Sequence, residues 1–272
     1  MKTKFLHIAT ALLFAGFTSS CSDFLDRYPL DELSDSSFWK TENDAMMAVT
    51  DIYGCLPTWD QDEDINSDNA VHGIKWAAGN ISKGIYDPMD QSWAGSYTPI
   101  RQCNLVLEKV KDIEMSDESR KKIEGQAYFF RAFVYFNLIR SFGDVPYIDK
   151  PLNLTDVEDI TRTPREEVYA KVMADFDKAI EYLPEEWDAA NTPRVTKGAA
   201  LAMKARAALY YNNWQVAADA SKAVMDLGKY ELYDAGNTGK YQELFWEKSD
   251  GCDENILYVQ FNYPDKTHYL IG

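Results

Sequence analysis

The stretch "ALAMKARAALYYNNWQVAADA" (residues 200–220) reads as two helices folded back on one another. Alanine costs a helix least, and small side chains sit where paired helices touch. Thr196 supplies an N-cap for a helix running through Tyr211. Asn212-Asn213 make the tight turn, since asparagine tolerates the left-handed backbone that a reversal needs. Trp214 to Leu227 then pair back, and Gly228 closes the end. In this arrangement Trp214 is expected to pack between helices as a core residue. Upstream, Thr163-Pro164-Arg165-Glu166 offers a Thr N-cap, Pro at the first helical position and Glu at the third, a full capping box. Val168, Val172, Phe176, Ala179, Ile180 and Leu183 line one face of the helix that follows, until Pro184 stops it.

The same grammar extends toward the N-terminus. Asp117 to Phe142 reads as a helix that is apolar nearly all round from Ala127 to Ile139, broken only by Arg131 and Asn137, and such a helix is buried in a core. "GDVPYI" (143–148) ends it. Before it, Trp93, Tyr97, Ile100 and Asn104 recur at helical spacing, and Val106, Leu107 and Val110 carry the apolar surface onward. Trp93 and Tyr97 are therefore expected in the core, and Pro99 predicts a kink or a break. Thr41 to Leu56 reads as another helix, with Thr41 and Asp44 as a capping pair. Between these two helices, from Pro57 to Pro88, the pattern dissolves into Asp, Asn, Gly and scattered aromatics, a long loop or several short elements. Near the C-terminus, "NILYVQFNY" (255–263) reads as a strand. The sum is a mainly α protein of helix pairs with one long irregular region and little β. Tetratricopeptide repeats have a period of about 34 residues. "DFDKAIEYLP" (175–184) matches the second half of such a unit, and 200–220 matches a whole one through Ala205, Trp214 and Ala217. The units are irregular and separated by insertions.

The N-terminus has a different character. Lys2 and Lys4 precede a mostly apolar run from Phe5 to Phe17, and Thr18, Ser19 and Ser20 lead to Cys21, the layout of a secretory signal peptide. The run is too short to span a bilayer, which takes about 20 apolar residues. A thiol directly after small residues resembles a lipobox, the site where bacterial lipoproteins receive a diacylglyceryl group before cleavage. It departs from the usual pattern in carrying Thr18 where most have Leu. Lipidation at Cys21 would leave 252 residues (272 minus 20) tethered to a membrane rather than embedded in it, with 21–40 as the tether. The remaining cysteines, 55, 103 and 252, allow at most one disulfide. Cys55 with Cys103 is open to an exported protein, and free thiols are equally consistent with the spacing.

Charge and motifs narrow the function. The net charge is −16, or −18 once Lys2 and Lys4 are removed, which repels phosphate backbones, so nucleic acid is excluded as a ligand class. The chain has no G-x-S-x-G, H-E-x-x-H, C-x-x-C or Gly-rich phosphate loop. His72 and His268 read as ordinary surface or satisfied histidines. Asp60, Asp62 and Asp64 alternate like the start of a calcium loop, but Ile65 and Val71 stand where Gly and Glu are needed, so a solvated acidic loop fits better. With 44 acidic residues, some pair of carboxylates is always nearby, and a glycoside hydrolase is not diagnosed by that count. Trp59, Trp76 and Tyr86 lie among Asp64, Asn66, Asn69 and Asn80. Rings that stack on sugar C–H faces, beside groups that bond hydroxyls, suit a neutral glycan.

Six stretches taken in order, "CSDFLDRYP", "SSFWKTENDAMMAVTDIYGCL", "WAGSYTPIRQCNLVL", "GQAYFFRAFVYFNLIRSFGDVPYI", "TRTPREEVYAKVMADFDKAIEYLP" and "RVTKGAALAMKARAALYYNNWQVAADASKAVMD", resemble the SusD/RagB-like nutrient-uptake lipoproteins of the Gram-negative outer membrane. The resemblance implies tetratricopeptide-like helix pairs, a lipid anchor at Cys21 on the outer face, and a non-catalytic role. It implies capture of glycans or peptides for a SusC-like TonB-dependent transporter, with no cofactor. Family members run to about twice this length, so 41–272 is expected to be the helical N-terminal domain, truncated before the C-terminal half. The expected function is oligosaccharide capture, with Trp59, Trp76 and Tyr86 as candidate contacts. The rival is a helical scaffold that only docks on the transporter, with ligand binding in the missing half.

Overall fold

In the computed structural model, which describes residues 38–56, 84, 93–157, 159–233, 241–245 and 251–260, the helices begin where a side chain or turn accepts their first free N–H groups. Helix α1 (Glu42–Ile52) starts at Thr41, whose hydroxyl accepts from the Asp44 amide while the Asp44 carboxylate accepts from the Thr41 amide at 2.8 Å. A 3₁₀ turn, Tyr53–Cys55, extends it. Helix α2 (Trp93–Lys109) contains Pro99 and runs through it, so the expected break is absent. Proline forfeits the bond to the carbonyl four residues back, and here that residue, Gly95, is exposed, so water can serve the freed carbonyl. Helix α3 (Asp117–Phe142) is capped by the Ser116 hydroxyl, which accepts from the Ser119 amide at 3.0 Å. It ends at Gly143, whose φ of 69° only glycine adopts freely.

The capping box expected at Thr163 is not formed. Helix α4 (Arg165–Tyr182) begins after Pro164, and Thr163 is otherwise engaged. Its N–H donates to the Val145 carbonyl at 2.9 Å and its carbonyl accepts from the Val145 amide at 3.2 Å, an isolated antiparallel bridge. The Asp144 carboxylate takes over the cap and accepts from the Arg165 amide at 2.9 Å. Glu166 turns to Arg165 instead, at 2.8 Å. Helix α5 (Lys197–Tyr210) does start on its predicted cap, with the Thr196 hydroxyl accepting from the Ala199 amide at 3.2 Å. The reversal to α6 (Trp214–Asp226) passes through Asn212 at φ 57°.

The chain divides into two compact units, Met1–Lys40 and Thr41–Gly272. Of the first, only 38–40 is described, where the Phe38 and Trp39 rings meet edge to face at 5.1 Å. In the second, α3 is the central helix: it packs on α1 and α2 and on α4, α4 packs on α5, and α5 on α6. The serial, folded-back packing is the tetratricopeptide-like arrangement expected. Tyr135, Phe129, Phe130, Phe136 and Phe176 fill the core with Ile52, Ile100 and Ile123. At the α3–α4 crossing a Cβ on Gly125 would stand 3.0 Å from the Tyr182 Cβ, so a larger residue fits only if the two helices shift apart by a few tenths of an ångström.

One polar cluster is sealed inside. Arg131 on α3 grips the Asp175 carboxylate on α4 through Nε and Nη2, each at 2.7 Å, and donates from Nη1 to the Asn104 carbonyl oxygen on α2 at 2.8 Å. The Asn104 amide in turn donates to the Ile148 carbonyl at 2.9 Å. Burial works against the Arg131 charge, but the Asp175 contact outweighs it and keeps the guanidinium protonated.

Two further expectations fail. Residues 255–260 form bends and irregular chain, not strand, and 261–263 lie outside the described residues. β-branched residues make a strand only beside another strand, and the nearby backbone pairing is a single bond from the Glu231 amide to the Asp253 carbonyl. Trp214 is 60 % exposed rather than core. It opens α6, which packs on α5, and its side of α6 has no further described helix against it.

Candidate functional site

Cys21, Trp59, Trp76 and Tyr86 lie outside the described residues, as do the acidic run 60–69, His72 and His268. The described chain on either side of 57–92 nevertheless converges on one place. Gly54 and Cys55 at the end of the first helical stretch, and Gly95, Ser96, Thr98, Pro99 and Gln102 on α2, line a groove of about 510 Å³. Its floor is α3, through Phe133, Val134 and Asn137. The volume falls in the usual range of small-ligand clefts, about 300–1,000 Å³.

The chemistry of the groove follows from these side chains. Phe133 and Asn137 are one helical turn apart, so ring and carboxamide stand side by side on the same face of α3. Both are half-buried, and the Phe133 ring is backed by Phe129, stacked at 6.3 Å with planes 11° apart. The Asn137 carboxamide bonds no other described group and is available to a ligand. Among the described residues Asp51 is the one charged residue on the wall, and its carboxylate accepts from the Gln102 amide. Burial pushes the Cys55 thiol up to about 12, and the wholly buried Cys103 thiol is pushed well up by burial and by its neighbour Cys55. Both are free and protonated at neutral pH, which leaves neither a nucleophile nor a metal ligand. Among the described residues no group of His, Cys, Asp and Glu is placed to hold a metal. An aromatic face, a free carboxamide and hydroxyls, with the single carboxylate already engaged, suit a ligand that is neutral and rich in hydroxyls.

Sequence reasoning read this part of α3 as core, and there Phe133 and Asn137 were passed over. The signal was the polar break itself: on a helix apolar all round, Arg131 and Asn137 are the two exceptions. Arg131 is spent on Asp175, while Asn137 faces the groove. Trp93 and Tyr97 are half-buried and structural. The Trp93 ring meets Phe142 edge to face at 4.8 Å, and the Tyr97 hydroxyl donates to the Pro146 carbonyl at 3.0 Å.

A family model for SusD-like proteins, described as starch-binding and associating with the outer membrane, matches residues 24–209. The chain belongs to the SusD-like family. SusD-like protein P2 of Formosa agariphila is 29% identical over 276 residues, covering 96% of this chain and 53% of that one. SusD-like protein P25 of the same organism is 23% identical over 282 residues, covering 96% and 52%. Among solved structures, a SusD-like protein from Bacteroides fragilis superposes with a TM-score of 0.75 at 28% identity, over 88% of this chain and 48% of that one. A laminarin-binding SusD-like protein gives 0.72 at 23% identity, over 82% and 52%, and at that identity shows the fold alone. The chain thus spans about half the length of the SusD-like relatives it matches.

Proposed function

We propose that this SusD-like chain is part of a non-catalytic, cell-surface lipoprotein that captures a neutral oligosaccharide and passes it to a SusC-like TonB-dependent transporter. The reading rests on one observation above the others: Phe133 and Asn137 present a ring and an unengaged carboxamide in a groove flanked by both ends of the 57–92 segment. Trp59, Trp76 and Tyr86 in that segment are proposed to complete the contact, and Cys21 to carry the lipid. The proposal keeps 1–20 as signal peptide, 21–40 as tether and 41–272 as the helical domain.

The test is calorimetric titration of the full chain against an array of neutral oligosaccharides. Truncating a stacked aromatic together with a hydrogen-bonding amide typically removes more than about 1 kcal/mol each, so Phe133→Ala/Asn137→Ala should weaken the bound glycan by at least tenfold. Equal affinity in that variant and in Trp59→Ala and Trp76→Ala would move ligand contact out of this region. A second reading, a scaffold that only docks on the transporter, is favoured by the apolar groups exposed on α6, Trp214 at 60 % and Met225 at 72 %. It predicts no glycan binding by this chain.

A further inference from the structure

A second concavity, with a volume of about 360 Å³, lies between the α4–α5 connection and residues 229–230 and 251–258. Three half-buried aromatic side chains converge on it: Trp187 from the connection, and Tyr230 and Tyr258 from the later segment. Two of them are held in place by groups that do not belong to any ligand. The Trp187 indole N–H donates to the Val195 carbonyl at 2.8 Å, which fixes the ring and leaves its face as the usable surface. The Tyr230 hydroxyl pairs with the Thr196 hydroxyl at 3.0 Å. Its ring lies across the start of α5, where a Cβ on Gly198 would stand 2.2 Å from that hydroxyl. Gly198 is therefore the residue that makes room for the Tyr230 ring.

The charges on the wall sort into spent and unspent. Lys229 is paired with Glu186 at 2.9 Å. Arg194 points its two terminal nitrogens at Gln126 and Thr50, at 3.1 and 2.9 Å. Among the described residues, the Asp253 carboxylate and the Tyr258 hydroxyl have no hydrogen-bond partner, and Asp253 is exposed. Both cations among the described lining residues are engaged, so neither is left to pair with an anion. The cavity keeps pre-positioned aromatic faces together with two carboxylates, Glu185 and Asp253, and one phenol that bond no other described group, and such groups bond the hydroxyls of a sugar whose ring stacks on the aromatics.

We propose that this cavity is a second saccharide subsite, separate from the α1–α2–α3 groove, in which Trp187, Tyr230 and Tyr258 stack a neutral pyranose and Asp253 bonds its hydroxyls. The proposal rests on the reading of the chain as a glycan-binding protein. The two sites share no lining residue, so one longer glycan strand, or two separate ones, would be held at two points.

The experiment is isothermal titration of the full chain with maltohexaose, laminarihexaose, cellohexaose and xylohexaose, comparing Tyr258→Ala and Asp253→Ala with Phe133→Ala/Asn137→Ala. Tyr258 and Asp253 are surface-reaching, and a retained cooperative unfolding transition verifies that each variant folds. Gly198→Ala serves as the indirect variant, displacing the Tyr230 ring without touching the ligand. The expected result is a loss of about tenfold in affinity, or loss of one of two binding events, in Tyr258→Ala and Asp253→Ala, with a smaller loss in Gly198→Ala. A hexasaccharide whose binding is abolished by the groove variant and unchanged within twofold by both cavity variants would overturn the second subsite and leave glycan capture standing. Binding of choline but of no hexasaccharide would show a cation cage instead and overturn the saccharide assignment. Absence of binding by every sugar would remove the glycan reading and this subsite together.

Discussion

At the scale of single residues, the decisive contact is the two-pronged grip of Arg131 on Asp175. Side chains on both sides are 8 % exposed, so neither charge is screened by water. Burying two ions costs heavily in desolvation, and good geometry with further hydrogen bonds offsets it. Here the bidentate fork and Asn104 supply that geometry. Removing one partner strands the other, so Arg131→Met should cost about 3–5 kcal/mol in urea unfolding. The double variant Arg131→Met/Asp175→Leu should recover most of that loss, since an apolar pair of similar volume avoids the bare charge. A single variant as stable as the parent would show that the pair contributes nothing. Lysine is no substitute for Arg131, because a point charge cannot fill both prongs and reach Asn104.

At the scale of elements, Tyr53 ties the 3₁₀ turn after α1 to two other elements. Its hydroxyl donates to the Gln126 carbonyl oxygen on α3 at 2.8 Å and accepts from the Val195 amide, just before α5, at 2.9 Å. Burial pushes this phenol from 10.0 up to about 12, and pushes the Cys55 thiol next to it in the turn from 9.0 to about 12. Both folded values lie above the unfolded ones, so the folded chain holds these protons longer. The associated stability is complete below about pH 9 and is lost as the pH rises to about 12. The melting temperature should therefore fall steeply over that alkaline range. Tyr53→Phe should lower stability by about 1–3 kcal/mol at neutral pH, by orphaning the Val195 amide, and flatten the alkaline fall. Elements such as these were largely legible in advance. Periodic apolar residues and local caps at Thr41 and Thr196 are written within a few residues of one another, so sequence suffices. The Thr163 cap was misread because its rival partner, Val145, is distant in sequence, and a local motif yields to a long-range bond of equal quality. Of the kink or break expected at Pro99, the break is absent, because whether a helix tolerates proline depends on what surrounds the freed carbonyl. The groove was not legible: its described lining falls outside 57–91, and its floor residues Phe133 and Asn137 sit on a helix whose average character is core.

At the scale of the whole molecule, an acidic body with a net charge of −16 would be repelled by anionic lipid, and the lipid proposed at Cys21 would hold it at a membrane against that repulsion. Cys21→Ser should move the exported protein from the membrane fraction to the soluble fraction in cell fractionation, and a membrane-retained variant would overturn the anchor. Among the described residues no helix is long and apolar enough to cross a bilayer. The serial order of packing has a kinetic consequence. From α3 onward each helix rests on the one made just before it, so most contacts join neighbours in sequence. Loops of this kind close at little entropic cost, and chains dominated by local contacts fold fast. A polypeptide emerging N-terminus first would find the docking face for each of the described helices from α4 to α6 already assembled when that helix arrives.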